Sequence, residues 1–194
     1  MTPATIRSVV ATAVIGFALI SPRLAGADRT LDVGSGHSVV FDQPASFKME
    51  AAESPEDIDG KSIKLTPRNG ANAECNITFI IDSDKRLGDH DAIKKLLILQ
   101  AGSMLEQSLE NKVNAHEFKT PHAFGFAATL TDKNLVGKPE VRGDYKSETF
   151  VTLLLPEQIV AVATILVDDP QGPEYAAMIA LLRSLGAHTA SSVI

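Results

Sequence analysis

Apolar and polar residues alternate over Lys61–Pro67, where Ile63 and Leu65 interleave with Lys64 and Thr66. They alternate again over Cys75–Asp82, with Cys75, Ile77, Phe79 and Ile81 on one side. A period of two marks a strand with one buried face. Arg68-Asn69-Gly70 between the two runs predicts a tight turn, because Asn and Gly tolerate the positive φ a hairpin requires. His122–Asp132 repeats the pattern, with Phe124, Phe126, Ala128 and Leu130 on one side and Gly125, Ala127 and Thr129 on the other. Small residues on that second side predict a close neighbour. The strongest signal spans Tyr145–Leu155 and Gln158–Val167, two β-branched and apolar runs broken at Pro156-Glu157. Strands apolar on both sides belong inside a sheet that is covered on both faces.

Two stretches carry the helical period instead. Asp89–Asn111 places Ile93, Leu96, Leu97, Ala101, Met104, Leu105 and Ser108 on one broad face. Asp89 suits the N-cap, and Asp91 suits the positive end of the helix dipole. Gly102, which costs about 1 kcal/mol relative to Ala inside a helix, predicts close approach to the sheet. The second helix opens at Gly172-Pro173, presents Tyr175, Met178, Ile179, Leu182 and Leu185, and stops at Gly186.

Shorter signals fill the gaps. His37–Asp42 predicts a strand closed by Pro44, Phe47 and Met49 a further apolar edge, and Val113–Lys119 a short strand. Asp28–Gly36 reads as an irregular leader with a turn at Gly34-Ser35-Gly36, and Ala51–Gly60 as an acidic surface loop. Lys133–Asp144 reads as a long hairpin tip, and Ala187–Ile194 as a frayed tail. Strands in runs, separated by single helices, predict the α+β class: an antiparallel sheet covered by helices.

Composition adds a compartment. The 194 residues include a basic Met1–Arg7, a short apolar run Ser8–Ile20 and a small-x-small Ala25-Gly26-Ala27. This is the layout of a secretory signal peptide (residues 1–27) cleaved before Asp28, leaving one domain over 28–194. The apolar run falls short of the roughly 20 residues a membrane span needs, so no stable span is expected after cleavage. The expected location is periplasmic or secreted. Cleavage removes Arg7 and Arg23 and lowers Lys plus Arg from 18 to 16 against 24 acidic residues, a formal charge of −8. An acidic chain without a basic cluster argues against nucleic acid and anionic membranes as partners. Cys75 is the single cysteine, so no intramolecular disulfide forms; its place in the alternation predicts a small buried hydrophobe, against the alternatives of an intermolecular bridge or a reactive thiol.

The chemistry-bearing residues do not assemble into a known motif. His116, Glu117 and His122 are separated by Pro121 and a strand break, and Asp89-His90-Asp91 sits at a helix start where carboxylates already have a capping role. There is no Gly-x-Ser-x-Gly elbow and no phosphate-binding glycine loop. Glu148, Glu157 and Glu174 read as solvated surface carboxylates. No catalytic residue, metal ligand or cofactor is expected.

The element order resembles the PsbP-like fold. The residues that carry the likeness are HSVVFDQPASF (His37–Phe47), the Ile63 and Cys75 strands, the long helix from Asp89, the hairpin-rich second half and LLRSLG (Leu181–Gly186). Phe47 stands where the family often has Trp after its opening proline, and the chain contains no Trp. The resemblance implies an α/β/α sandwich and an accessory or binding role without catalysis. The expected function is therefore that of an exported, non-enzymatic accessory or interaction domain with an envelope or secreted protein as partner. The alternative, from another class, is an exported small-ligand or metal-binding protein, with hydrolytic activity from residues that converge only in space. For the first, the candidate surface is the Lys133–Asp144 tip, where Lys133, Lys138 and Arg142 flank Leu135 and Val136 with Glu140 alongside.

Overall fold

The computed structural model describes residues 26–52 and 60–189. The apolar run expected of a signal peptide lies outside the described residues, as do most of the acidic loop and residues 190–194. The class is α+β, and every strand pair is antiparallel. Among the described residues the strands form two sheets. The larger is seven-stranded, in the order β3 (Phe47–Ala52), β4 (Gly60–Pro67), β5 (Ala73–Ile81), β9 (Ile159–Val167), β8 (Ser147–Leu155), β7 (Phe124–Thr131) and β6 (His116–Lys119). The smaller is three-stranded, in the order β1 (Gly26–Gly34), β2 (His37–Pro44) and β10 (Gly186–Thr189).

Strand parity sorts the core into two clusters. On one face of the large sheet, Ile63, Leu65, Cys75, Ile77, Phe79, Val151, Leu153 and Ile165 meet the small sheet and α2 (Pro173–Ser184). On the opposite face, Phe126, Ala128, Leu130, Phe150, Leu154 and Val160 meet α1 (His90–Gly102). The hairpin β8–β9 is central in the sheet and feeds both clusters, as its two apolar sides require. Its turn puts Glu157 and Gln158 at φ of 61° and 59°, a left-handed backbone that side chains resist. The turn is tied down by the Asp82 N–H, which donates to the Gln158 carbonyl at 2.9 Å.

Several expectations need correction. Residues 28–36 are not an irregular leader: Gly26–Gly34 is a strand paired with β2, turning through Gly34, Ser35 and Gly36, all at positive φ. Leu31 and Val33 alternate with Thr30 and Asp32 and pack into the core, so the signal was present but short. Cleavage before Asp28 would remove the two β1 residues, Gly26 and Ala27, that pair with Pro44 and Gln43. Residues 186–189 are not frayed either, since β10 pairs with β2 from Gly186↔Val40 to Thr189↔His37. Pairing supplied by a distant strand decided this segment.

The first helix stops early. Asp89 caps it, its carboxylate accepting the Ala92 N–H at 2.7 Å, but its last residue is Gly102 rather than Asn111. A Cβ built on Gly102 meets nothing within 4 Å, so this glycine ends the helix and serves no close approach. A 3-10 turn at Leu105–Gln107 follows, and buried Ser108 bridges to Asp132. The close approach lies at Gly125 instead, where a Cβ would sit 1.9 Å from the Thr152 carbonyl oxygen of the neighbouring strand. In α2 the fully buried positions are Ala177, Met178, Leu181 and Leu182, with Leu185 just beyond; Tyr175 and Ile179 are half-buried at the edge of that stripe. Cys75 is fully buried, and burial pushes its thiol up to about 12.

Candidate functional site

The face that carries α1 is unevenly covered. The helix lies over β7 and β8, and Gln100 reaches to β9, donating to the Thr164 hydroxyl at 3.1 Å. Towards β3 the same face presents Lys48, Glu50, Lys64, Thr66, Glu74 and Asn76, each half-buried or exposed. Register places them in rows: Glu50 is opposite Lys64, and Lys64 is opposite Asn76. In the adjoining row Lys48 is opposite Thr66, while Leu166 separates Glu74 from Glu148. β5 shows this asymmetry in one strand, alternating buried residues towards α2 with half-exposed ones on the side of Lys64.

Glu74 is the hub of this polar half-face. It takes the Lys64 ammonium at 2.6 Å and the Asn76 amide at 2.8 Å, and the Tyr145 hydroxyl stands 3.5 Å away. The hydrogen bond to Glu74 raises the Lys64 pKa, while burial, followed by the Glu74 charge, raises that of Tyr145. Both groups therefore stay protonated at neutral pH. Glu148 has a different environment: burial raises its pKa, and it has no hydrogen-bond or ion-pair partner among the described residues. Reading Glu148 as a solvated surface carboxylate is corrected by its half-buried place between Leu130 and Leu166.

The long connection from β7 to β8 folds along the edge of this region and is fixed at both ends. At the start, Lys133 donates its backbone N–H to the Gln107 carbonyl at 2.9 Å and its ammonium to the Glu106 carbonyl at 2.6 Å. Near the end, the Asn72 side chain donates to the carbonyls of Val141 and Asp144 and to the Asp168 carboxylate, and accepts the Gly143 N–H at 3.0 Å. Of the candidate docking residues, Leu135 is half-buried while Val136 is 52% exposed, so the pair is not uniformly presented to solvent. Lys133, Lys138, Glu140 and Arg142 are exposed, and Glu140 lies 4.0 Å from Lys146. Val141, 55% exposed, joins them.

Arg142 also lines a concavity of about 360 Å³ together with Lys64, Glu74 and Tyr145. Nothing local in the sequence marks Asn72, Lys64, Glu74 and Tyr145 as members of one site. Each looks like an ordinary polar position beside a strand, and only sheet register brings them together.

The histidine segments, separate in sequence, also meet. His90 Nε2 lies 3.6 Å from Glu117 Oε1, and its ring packs against Phe124 and Phe126 at centroid distances of 5.6 and 4.6 Å. Glu117 is held low chiefly by its hydrogen bond with Lys119, whose ammonium lies 2.7 Å away. His116 precedes Glu117 on β6, and exposed His122 lies in the β6–β7 turn. Among the described residues no three His, Cys, Asp or Glu side chains converge to hold a metal ion. None of the described helices is long and apolar enough to cross a membrane.

No family model matches the sequence. No curated protein matches it either. A crystal structure of a protein from Bacteroides thetaiotaomicron VPI-5482 is similar at 13% identity and a TM-score of 0.45, over 84% of this chain. The chain spans about half, 49%, of that structure.

Proposed function

We propose that the protein is an exported accessory domain without catalytic activity that docks to another envelope or secreted protein through the β7–β8 connection. The observation that carries this reading is that the connection is anchored at both ends by hydrogen bonds yet holds Val136 and Val141 more than half exposed. An ordered segment loses less entropy on binding than a flexible one, which favours affinity. Exposed charges of both signs at Lys138, Glu140 and Arg142 would steer a partner whose surface offers an apolar depression with a mixed-charge rim. The resemblance of the element order to the PsbP-like family supports the same accessory role, and the layout of residues 1–27 supports export.

The test is capture from the native envelope fraction with protein beginning at Asp28, compared with the double variant Val136→Asp, Val141→Asp. A partner retained by the first and lost by the second, at an unchanged thermal midpoint, supports the reading. Identical retention by both overturns it. Mass spectrometry of the native protein checks export separately, since an intact Met1 terminus contradicts it.

A further inference from the structure

The concavity beside Tyr145 has a composition that selects a ligand class. Its ionisable lining consists of Lys48, Lys64 and Arg142 against Glu50 and Glu74, together with Tyr145. Two of the cations are already matched, Lys48 by Glu50 at 3.2 Å and Lys64 by Glu74 at 2.6 Å. Arg142 has no carboxylate partner among the described residues, although the backbone on either side of it is clamped by Asn72. Arg142 lines the cavity together with Tyr145. The site is thus a preorganised arrangement with one unmatched positive charge, surrounded by groups that both donate and accept hydrogen bonds.

We propose that this cavity binds a small hydroxycarboxylate of the sugar-acid type. Arg142 takes the ligand carboxylate through its planar fork, which suits two parallel N–H···O contacts. Lys64 and the Tyr145 hydroxyl donate to ligand hydroxyls, and the free lone pairs of Glu74 and the Thr66 hydroxyl accept from them. A single negative charge satisfies the single unmatched cation. A phosphate dianion would bring a second charge towards Glu50 and Glu74, which repel it. A neutral sugar would leave Arg142 unpaired. The volume of about 360 Å³ falls in the range of small-molecule sites. This inference goes beyond the docking reading and does not depend on it, because that reading is tested at Val136 and Val141.

The experiment is calorimetric titration of the protein from Asp28 onward with D-glucuronate, D-glucose and inorganic phosphate, at low and at physiological salt. Glucuronate should bind, with glucose and phosphate each weaker by about tenfold or more. Arg142→Gln should weaken glucuronate by about tenfold or more and leave glucose unchanged. Arg142 is exposed, so the variant should keep its thermal midpoint. As a second probe, Tyr145→Phe should weaken glucuronate by less than Arg142→Gln does, with its fold checked by circular dichroism. The proposal is overturned if glucuronate produces no heat at millimolar concentration, or if glucose or phosphate binds as well. Full glucuronate affinity in Arg142→Gln also overturns it.

Discussion

The two faces of the large sheet are closed by different means. One meets a second sheet and α2, and its contacts are almost entirely apolar, from Phe47 and Met49 at one edge to Phe118 at the other. Its polar insertion is a small chain of hydroxyls, Thr129 with Thr149 at 2.8 Å and Thr149 with Tyr175 at 3.4 Å. The other face has a single helix over β7 and β8, then gives way to Lys64, Glu74 and Asn76 linked by hydrogen bonds and an ion pair. Apolar burial stabilises in proportion to area, whereas exposed ion pairs stabilise little. The first face therefore carries the stability, and the second is free to carry a site.

That contrast can be broken most forcefully at Leu182, which is fully buried against the first face. Leu182→Ala should cost about 2–5 kcal/mol in a denaturant titration, from lost burial and the cavity left behind. Leu97→Ala, equally buried under the thinner layer, should fall at the low end of that range, because a lone helix relaxes into a cavity more readily. A larger loss at Leu97 would reverse the assignment of the two faces.

The next effect is at Gly125, where the obstacle is the Thr152 carbonyl of the adjacent strand rather than a flexible side chain. Gly125→Ala should destabilise by about 1–3 kcal/mol or more through overpacking. A neutral result would show that β7 can move away from β8.

Asn72 tests the second face alone. Asn72→Ala removes the clamp on Val141, Gly143 and Asp144 and should cost about 1–2 kcal/mol. Hydrogen exchange should then speed up at Gly143 and remain slow in β5 and β9. Faster exchange throughout would mean that the clamp supports the whole sheet.

The smallest effect has the opposite sign. Burial raises the Glu148 pKa in the fold, so protonation favours the native state. This contribution is fully present below the unfolded value for a glutamate and is lost as pH rises through the higher folded value. Glu148→Gln should therefore stabilise the protein at pH 7, by less than about 1 kcal/mol because solvent screens a half-exposed group. The gain should vanish at pH 3. A gain that persists there would indicate a packing effect rather than a charge effect.

Local pattern was enough to place β4, β5, β7, β8 and β9, the Asp89 cap, the burial of Cys75 and Leu182, and the α+β class. Each depends on periodicity or capping written in a few consecutive residues. It was not enough for β1 and β10, whose short runs become strands because β2 lies between them. Nor did it end α1 correctly: the apolar spacing continues past Gly102, but Met104 and Leu105 reach the core from outside the helix, as the N-cap and first residue of a 3-10 turn. The candidate loop was visible as a long polar stretch, although its split into a half-buried Leu135 and an exposed Val136 was not. Least legible was the Lys64–Glu74–Tyr145–Arg142 cavity, since its members come from two strands and a connection far apart in the chain. Sequence alone determined which faces are apolar. Tertiary structure decided which apolar faces acquire a covering layer and which polar side chains are left to meet, because strand register and helix length are settled between distant segments.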